Sequence, residues 1–557
     1  MGTCKYIMTV PGVLVLLLLG PATLSGQEDL SPQHPDLILP PFLLELEEQL
    51  LVQIEAPLPS EASLGLPPLE MPLPGPEDLR LSPFSADIQI DTGDSRDTAG
   101  EGAVRQKIYT IGKLGAGPGN YILGDLTIHR LEDTPRFSLH FFHESRDGFS
   151  GAASGEGFSM RQELLEGSFI HTRGPGETEG RFRYGEEERG LQGLSVFDSL
   201  VLRGYRGEGR YSRRFGEGGL WSFSLKGSSL NRWLSGGPED RNQVLSYQPK
   251  AVLGWDWDKL SAFTQGEYYY SRLTATGDRE DLQQYGSLKG GLSVRLPGGW
   301  QADLEAGGAW DFEGGLEYPF LIKLEGPVGR DLALSFQGER VNHPREAEQL
   351  RNEFPLLAFE DGSGGAVLPD VLKGWRAAVS FTAASGNRLG LEGRLAWNRW
   401  ENLIQPGVAL SSRERSFSQT GADIFEFAME GRGIINRYLT LYAGWEGQAF
   451  LDRRLLYPDN LVTLALEIED RQLPGGTVLP PWGGRLSGAW AVFPRESPRA
   501  GQYPVLEGLG YYQISPGGRI MLEISDLLSP FLEEGRLYWD EITNPGLTLS
   551  LSVSISL

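Results

Sequence analysis

The last eleven residues of the chain, Leu547 to Leu557, read LTLSLSVSISL and decide the fold. Every odd-numbered position in this stretch is apolar, and every even-numbered position is threonine or serine. Because successive side chains of a β-strand point to opposite faces, the stretch predicts a strand with one apolar face and one hydroxylic face. Such a strand separates an apolar environment from a polar one.

The same alternation recurs upstream from about residue 106, in segments of roughly ten residues separated by Gly-rich turns or polar loops. In residues 300–310, Trp300, Leu304 and Trp310 share one face, and Asp303 and Glu305 lie on the other. Residues 331–339 and 388–398 repeat this pattern. The chain is therefore predicted to be all-β.

A soluble β-sandwich also alternates, with its apolar face inside. Three features favour a transmembrane barrel instead. Aromatic residues gather near the strand ends, as they do at membrane interfaces, and charged residues recur on the polar face of nearly every strand, as a wet lumen permits. The connections also alternate between tight turns, such as 297–299, and longer segments, such as 342–373. Outer-membrane barrels have short periplasmic turns and longer outer loops.

Counting backwards from a periplasmic C-terminus predicts a closed antiparallel barrel of about 22 strands. The predicted strands start near residues 547, 519, 503, 483, 460, 437, 417, 388, 374, 330, 318, 300, 285, 260, 247, 219, 198, 178, 164, 135, 120 and 106. This even number places the segment before the first strand in the periplasm. Residues 106–557 are therefore predicted to form the barrel.

Two segments precede the predicted barrel. Residues 1–26 contain a lone Lys5, an apolar run from Val10 to Leu19 and small residues after it, a pattern that predicts a secretory signal peptide. Residues 27–105 form a Pro/Leu-rich segment, predicted to be extended because dense prolines are excluded from helices and central strands. This segment is either a disordered linker or a segment that docks on a partner or on the base of the barrel.

Composition excludes several classes of function. The formal net charge is −24, which gives no electrostatic basis for binding nucleic acid. The single cysteine, Cys4, lies in the predicted signal peptide, so the remaining chain has no disulfide and no thiolate metal site.

The C-terminal region resembles the barrel of TonB-dependent outer-membrane receptors. Residues 522–531, LEISDLLSPF, are similar to the penultimate strand of that family and its following turn, with Asp526 to Leu528 in the turn. Pro545-Gly546 before the last strand resembles the family's ending, although Leu547 stands where arginine is usual and the chain ends in Leu557 rather than phenylalanine. The resemblance implies a large barrel and recognition of the last strand by the barrel-assembly machinery. It covers the barrel only, because no folded plug domain is recognisable in residues 27–105.

Few residues predict specific chemistry. His140 and His143 are three positions apart, so on a strand they face opposite sides and would not share a metal ion. No catalytic, cofactor-binding or metal site is predicted, and nothing in the sequence indicates an enzyme. Arg206, Arg210 and Arg214 share one face of a predicted strand and are candidate lumen-facing contacts for anions. The alternatives are pairing with acids such as Glu177 or Glu179, or contact with lipopolysaccharide headgroups.

The sequence thus predicts a channel or transporter that passes solutes across a bacterial outer membrane. The first alternative is a structural outer-membrane protein that binds partners through its long outer loops, and the second is a soluble periplasmic β-rich protein. Expected partners are outer-membrane lipid and lipopolysaccharide or an equivalent, the barrel-assembly machinery, and a periplasmic or lid partner. A barrel this wide needs a constriction, for which residues 342–373, residues 27–105 or a separate partner are the candidates.

Overall fold

The computed structural model describes residues 108–556, apart from gaps at 131–134, 150–151, 237–239, 277–278, 313, 347–358, 360–366, 387, 410–414, 437, 450–457, 469–481, 494–500, 516, 530–536, 540–541 and 544–545. The predicted signal peptide (1–26) and Pro/Leu-rich segment (27–105) lie outside the described residues. None of the described helices is long and apolar enough to cross a membrane.

The described chain consists almost entirely of strands. In chain order they are β1 (Tyr109–Gly117), β2 (Tyr121–Arg130), β3 (Arg136–Asp147), β4 (Ser159–Arg173), β5 (Gly176–Gly190), β6 (Ser199–Phe215), β7 (Gly219–Ser235), β8 (Asp240–Asp256), β9 (Leu260–Ala275), β10 (Arg279–Arg295), β11 (Gln301–Asp311), β12 (Gly315–Glu317), β13 (Phe320–Pro327), β14 (Leu332–His343), β15 (Leu372–Ser385), β16 (Leu389–Ala409), β17 (Arg415–Ile434), β18 (Leu439–Ala449), β19 (Asn460–Ile468), β20 (Trp482–Phe493), β21 (Gly501–Ser515), β22 (Gly518–Ser525), β23 (Leu537–Trp539), β24 (Ile542–Thr543) and β25 (Thr548–Ser556).

These strands close into one antiparallel barrel. Each pairs with the next along the chain, and β25 pairs with both β22 and β1, so the sheet has no free edge. The short strands β12 and β13 are two parts of one barrel strand beside β11, and β23 with β24 forms a separate hairpin. The barrel therefore has 22 strands, which confirms the predicted fold class and strand number.

The two ends of the barrel differ in their connections. At the end that holds the start of β1 and the end of β25, here called the turn end, most connections are short, such as residues 174–175, 216–218 and 257–259. At the opposite end, here called the loop end, lie the long connections 344–371 and 526–547. Several connections depart from this rule: only residues 118–120 join β1 to β2 and only residues 276–278 join β9 to β10 at the loop end, and residues 469–481 join β19 to β20 at the turn end.

The structure extends several strands at the loop end beyond their predicted starts, β8 and β10 the furthest. β8 begins at Asp240 rather than near residue 247, and β10 begins at Arg279 rather than near residue 285. The predicted long connections 233–246 and 274–284 are consequently shorter than expected. Strands of about ten residues suffice to cross a bilayer. The excess length at the loop end is mostly polar, with charged or amide side chains at both parities in residues 240–243 and 279–284, so the alternation that marks a strand is weak there.

The two faces of the wall are distinguished by their contacts. Leu304 and its register partners Leu292 and Ile322 on the neighbouring strands are 46%, 46% and 53% exposed and form one outward row. Side chains of the other parity reach strands that are not their neighbours: Lys113 of β1 contacts Glu523 of β22, and Arg146 of β3 contacts Thr548 of β25. Such contacts require a concave surface, so this parity faces the lumen.

Aromatic residues mark two levels on the outer face. Trp482 and Trp490 of β20 are both exposed and eight residues apart, and Tyr247 and Trp255 of β8 repeat this spacing. Eight residues of strand span about 26 Å, which a tilt of roughly 40° reduces to about 20 Å. Two aromatic levels around an apolar band of ~25 Å are typical of outer-membrane barrels.

Candidate functional site: the lumen and the connection that enters it

The described residues of the connection between β14 and β15 (344–346, 359 and 367–371) lie against the inner wall of the barrel. Two buried tyrosines hold the end of β14 and the start of the connection: Tyr285 Oη donates to the carbonyl of Asn342 in β14 at 2.6 Å, and Tyr269 Oη donates to the carbonyl of Arg345 at 3.3 Å. Both tyrosines belong to inward positions of the long neighbouring strands β9 and β10. The beginning of the connection is therefore fixed to the inner wall.

The other end of the connection is held as well. Gln283 Nε2 donates to the carbonyl of Pro369 at 2.8 Å, and the backbone N–H of Leu368 donates to the carboxylate of Asp281. On the opposite flank, Gln419 of β17 accepts from the backbone N–H of Asp370 at 3.1 Å. Residues 368–370 thus lie between β10 and β17 and contact both.

Buried apolar side chains also hold the connection against the wall. Phe359 and Leu368 of the connection are buried together with inward residues from two separated parts of the wall. Other buried members of the cluster are Leu191, Phe197, Leu200, Leu202, Leu230, Leu234, Val244 and Leu273 from β6 to β9 and the connection before β6, and Ile404 and Phe417 from β16 and β17. The cluster joins inward side chains of β6 to β9 with those of β16 and β17 at the loop end.

A pattern in the sequence indicates that the inward-facing leucines of β6 are buried. Residues 199–204, SLVLRG, are apolar at both parities, although a barrel strand between lipid and water is apolar at one parity only. Apolar residues on both faces of a strand indicate that both faces are covered. This signal was available in the sequence, whereas Phe359 and Leu368 lie in a connection with no periodic pattern to mark them.

The three predicted arginines lie on β6, with the parity of the lumen. They alternate with Tyr205, Tyr211 and Phe215, which are exposed on the outer face. Arg206 lies opposite Arg183 of β5 and Ser228 of β7 in the register, and Arg210 lies opposite Glu179 and Ser224. Arg214 is next to the turn end, where its backbone N–H donates to the carbonyl of Pro175 at 3.0 Å. Together they form a row from below the apolar cluster towards the turn end.

The acids suggested as their partners are engaged in part by other groups. The carboxylate of Glu179 accepts from Arg181 on the same strand, and the hydroxyl of Thr172 donates to Glu177 at 3.5 Å. The neighbouring Arg183 guanidinium contacts Glu166 at 3.1 Å. Glu179 nevertheless lies directly across from Arg210 in the register, so the wall here holds both signs of charge with an excess of cations on β6 and β7.

A charged contact that no sequence pattern indicates joins the connection to the wall. Lys226 Nζ of β7 donates to the carboxylate of Glu346, three residues beyond the end of β14. Both side chains are largely shielded, with 17% and 20% of their surfaces exposed. The two residues are 120 positions apart, and β8 to β13 lie between their strands, so only closure of the barrel brings them together.

The two histidines singled out in the sequence point in opposite directions. His140 Nε2 lies 2.9 Å from Asp125 Oδ1 and its Nδ1 lies 3.8 Å from Glu166 Oε2, all on the inner face. His143 lies on the outer face, with Nδ1 3.6 Å from Glu163 Oε1. His140 thus belongs to a polar network that crosses β2 to β5 through Arg183.

No protein-family model and no curated protein matches this chain. Solved structures do match it. The siderophore receptor PirA from Pseudomonas aeruginosa aligns with a TM-score of 0.57 and 11% identity over 81% of each chain. The FrpB iron transporter from Neisseria meningitidis (F5-1 variant, apoprotein form) aligns with a TM-score of 0.61 and 8% identity over 82% of each chain. The copper transporter OprC aligns with a TM-score of 0.59 and 11% identity over 81% of this chain and 80% of its own.

These identities establish a shared fold. The resemblance to the barrel of TonB-dependent outer-membrane receptors, predicted from the C-terminal residues, is confirmed at that level. The three proteins named above are a receptor and two transporters.

Proposed function

We propose that this chain forms a passage for solutes across an outer membrane, with its loop-end mouth closed by the β14–β15 connection. The observation that carries the proposal is the burial of Phe359 and Leu368 among inward side chains of β6 to β9, β16 and β17. A barrel of 22 strands encloses a lumen that leaks unless it is obstructed. The fold shared with outer-membrane receptors and transporters supports the same proposal.

The solutes we propose are anions. Arg206, Arg210 and Arg214 follow one another along the lumen side of β6, and Lys226 and Lys250 add inward cations on β7 and β8, opposite Glu208 and Glu267. Rings or rows of guanidinium and ammonium groups favour anions in pores. The Pro/Leu-rich segment 27–105 is proposed to lie in the periplasm. It precedes β1, which starts at the turn end, and the short turns of outer-membrane barrels lie in the periplasm. Lipid, lipopolysaccharide or its equivalent, and the barrel-assembly machinery remain the expected partners.

Single-channel recording in planar bilayers tests the passage and its closure. The wild-type barrel is expected to carry little current. The double variant Phe359→Asp/Leu368→Asp is expected to carry large, stepwise current, because an unpaired carboxylate in an apolar cluster costs several kcal/mol and expels the connection. Phe312→Asp, at an exposed phenylalanine outside the cluster, is the matched control and keeps the wild-type behaviour.

Two results contradict this proposal. A large current through the wild-type barrel would show that the cluster does not close the lumen. If the double variant carried no current although its barrel was folded, as verified by heat-modifiable mobility on a gel, the alternative of a structural or surface-binding barrel would be favoured.

Ion selectivity tests the row of arginines. In the opened double variant, the reversal potential across a KCl gradient is expected to indicate anion preference. Arg210→Gln together with Arg214→Gln is expected to lower the anion-to-cation permeability ratio by about twofold or more. Arg213→Gln, which removes an arginine of the outward parity from the same strand, is expected to leave the ratio unchanged. Equal effects of the inward and outward substitutions would refute a role of this row in conduction.

A further inference from the structure

Two arginines flank a glycine on the outer face of the wall at the turn end. Arg173 of β4 and Arg213 of β6 each lie opposite Gly176 of β5 in the register, and both are exposed. Arg173 shares its face with the exposed Phe169, and Arg213 has the outward parity already given for β6. Neither arginine lies opposite an acid in the register, since the partner of Arg213 on β7 is Trp221. Two guanidinium groups are therefore presented together on the lipid side of the barrel.

A tyrosine hydroxyl lies beside the same glycine. A Cβ atom built on Gly176 would be 2.8 Å from Tyr211 Oη, so the hydroxyl occupies the space over Gly176. Tyr211 also packs edge-on against Trp221, with the ring centroids 5.2 Å apart. Guanidinium and hydroxyl groups are hydrogen-bond donors, and arginine matches the geometry of phosphate oxygens. The group formed by Arg173, Arg213 and Tyr211 thus suits a phosphate at the membrane interface.

An apolar groove of about 470 Å³ begins next to this group, at Trp221. Its outward lining comes from β7, β8 and β9 and combines large exposed side chains with small ones, namely Trp221, Phe223, Leu253, Ala251, Thr264 and Gly266. Phe223, Ala251 and Gly266 form one row across the three strands. Because Phe223 lies two residues further from the turn end than Trp221, the groove runs from the aromatic level into the apolar band.

We propose that this surface binds one phospholipid, with its phosphate on Arg173 and Arg213 and one acyl chain in the groove. A phospholipid is the occupant that fits both parts, because its anionic group lies at the interface and its chains lie in the apolar band. Its place in the periplasmic leaflet follows from the proposed orientation of the turn end. The site is on the outer face of the barrel, so it does not depend on the passage of solutes.

A second copy of the barrel fits this surface less well. Two copies that met through this face about a two-fold axis along the membrane normal would bring their arginines to the same level. On β4 and β5 the outward acids Glu163 and Glu186 lie towards the loop end, at the other end of the wall. The charge at the turn end is therefore complementary to lipid phosphate rather than to the same surface of another copy.

Native mass spectrometry of the purified, delipidated protein tests the phosphate contact. Dioleoyl phosphatidylglycerol is expected to occupy one tight site. Arg173→Gln/Arg213→Gln is expected to lower its affinity roughly 25-fold, about fivefold for each arginine. Dioleoyl glycerol, which has the same chains and no phosphate, is expected to bind the parent at least as weakly as phosphatidylglycerol binds this variant. Arg330→Gln/Arg388→Gln removes two exposed arginines from other connections at the turn end and is the matched control, expected to bind as the parent does.

A leucine in the groove tests the acyl-chain contact. The nearest atom to a Cβ built on Gly266 is Leu288 Cδ1 at 4.0 Å, so Gly266→Leu fits the wall and fills the groove. It is expected to lower the affinity for phosphatidylglycerol about tenfold, equivalent to displacing roughly two methylene groups. Gly338→Leu, at an outward glycine of β14 with open space around it, is the control and is expected to have no effect. Heat-modifiable mobility verifies folding, and Ala251→Leu fills the same groove from β8 if Gly266→Leu does not fold.

Three results overturn the inference. Phosphatidylglycerol could bind the double arginine variant and Gly266→Leu as tightly as the parent. The arginine substitutions could weaken binding while Gly266→Leu and Ala251→Leu do not, which would show that the groove holds no chain. The parent could bind no phospholipid and form a dimer that Gly266→Leu separates, which would make this face an interface between copies. None of these results changes the current expected through Phe359→Asp/Leu368→Asp, so failure of this inference and failure of the proposed function are distinguishable.

Discussion

At the scale of single residues, neighbours along a strand of this wall meet different environments. Leu304 lies in the outward row with Leu292 and Ile322, whereas the next residue, Glu305, has the inward parity and lies opposite Gly291. The first position is predicted to be in lipid and the second in the wet lumen, although the two residues are adjacent in sequence.

A pair of arginine substitutions tests this difference. Leu304→Arg is expected to lower the free energy of unfolding in lipid vesicles by about 2–4 kcal/mol, because it places a charge on the lipid face near the middle of the membrane. Glu305→Arg is expected to change it by less than about 1 kcal/mol, since the lumen solvates the guanidinium. Denaturant titration followed by tryptophan fluorescence gives both values. Equal costs at the two positions would contradict the assignment of the faces.

Residue-scale prediction from sequence succeeds where it needs parity alone. The opposite facing of His140 and His143, and the common face of Arg206, Arg210 and Arg214, follow from the two-residue period of a strand. The contact between Lys226 and Glu346 does not follow from any period. It depends on which strands face one another across a closed lumen, and the local sequence of neither residue contains that information.

At the scale of elements, the hydroxylic face of β25 has a packing role. Ser550 and Ser552 are 2% and 1% exposed and lie inward between β22 and β1. Over these short side chains Lys113 of β1 reaches Glu523 of β22. The short serine side chains therefore leave room for the Lys113–Glu523 ion pair, which crosses β25.

Enlarging one of these serines tests the closure. Ser552→Leu is expected to destabilise the barrel by about 1–3 kcal/mol through overpacking, with a further loss from separating Lys113 and Glu523. Val553→Leu, one residue away on the exposed outer face, is the matched control and is expected to have little effect. The temperature at which the folded band disappears in heat-modifiability gels measures both. If the Ser552→Leu barrel were as stable as the control, close packing on the inner face of β25 would be contradicted.

The sequence predicts the elements well within the membrane and poorly outside it. Strands such as β9, β19 and β7 begin where the alternation predicts, at Leu260, Asn460 and Gly219. β8 and β10 extend further than predicted. Beyond the lipid an outward side chain contacts water and need not be apolar, so the alternation that predicts a strand is weak there. Asp240 of β8 pairs with Leu234 of β7 through the backbone of the sheet. The polar residues at this end of β8 do not indicate that pairing.

At the scale of the whole molecule, the closed barrel follows from the sum of many weak strand signals and from the need to satisfy every backbone group in lipid. The width of such a barrel predicts a constriction, for which residues 342–373, residues 27–105 and a separate partner are the candidates. The structure assigns the described part of this segment to the inner wall through Phe359 and Leu368. The sequence could not select among the candidates, because a connection without periodicity does not indicate which surface it covers.

The central claim is that one face of each strand contacts lipid while the other faces a wet lumen. Nitroxide spin labels at successive single cysteines from residue 302 to residue 308 of β11, in a Cys4→Ser background in lipid vesicles, test it most directly. The account predicts that collision with oxygen is high at even-numbered positions and that collision with a water-soluble nickel complex is higher at odd-numbered ones. If the even-numbered positions were shielded from both reagents, as in the interior of a sandwich, the claim would be contradicted.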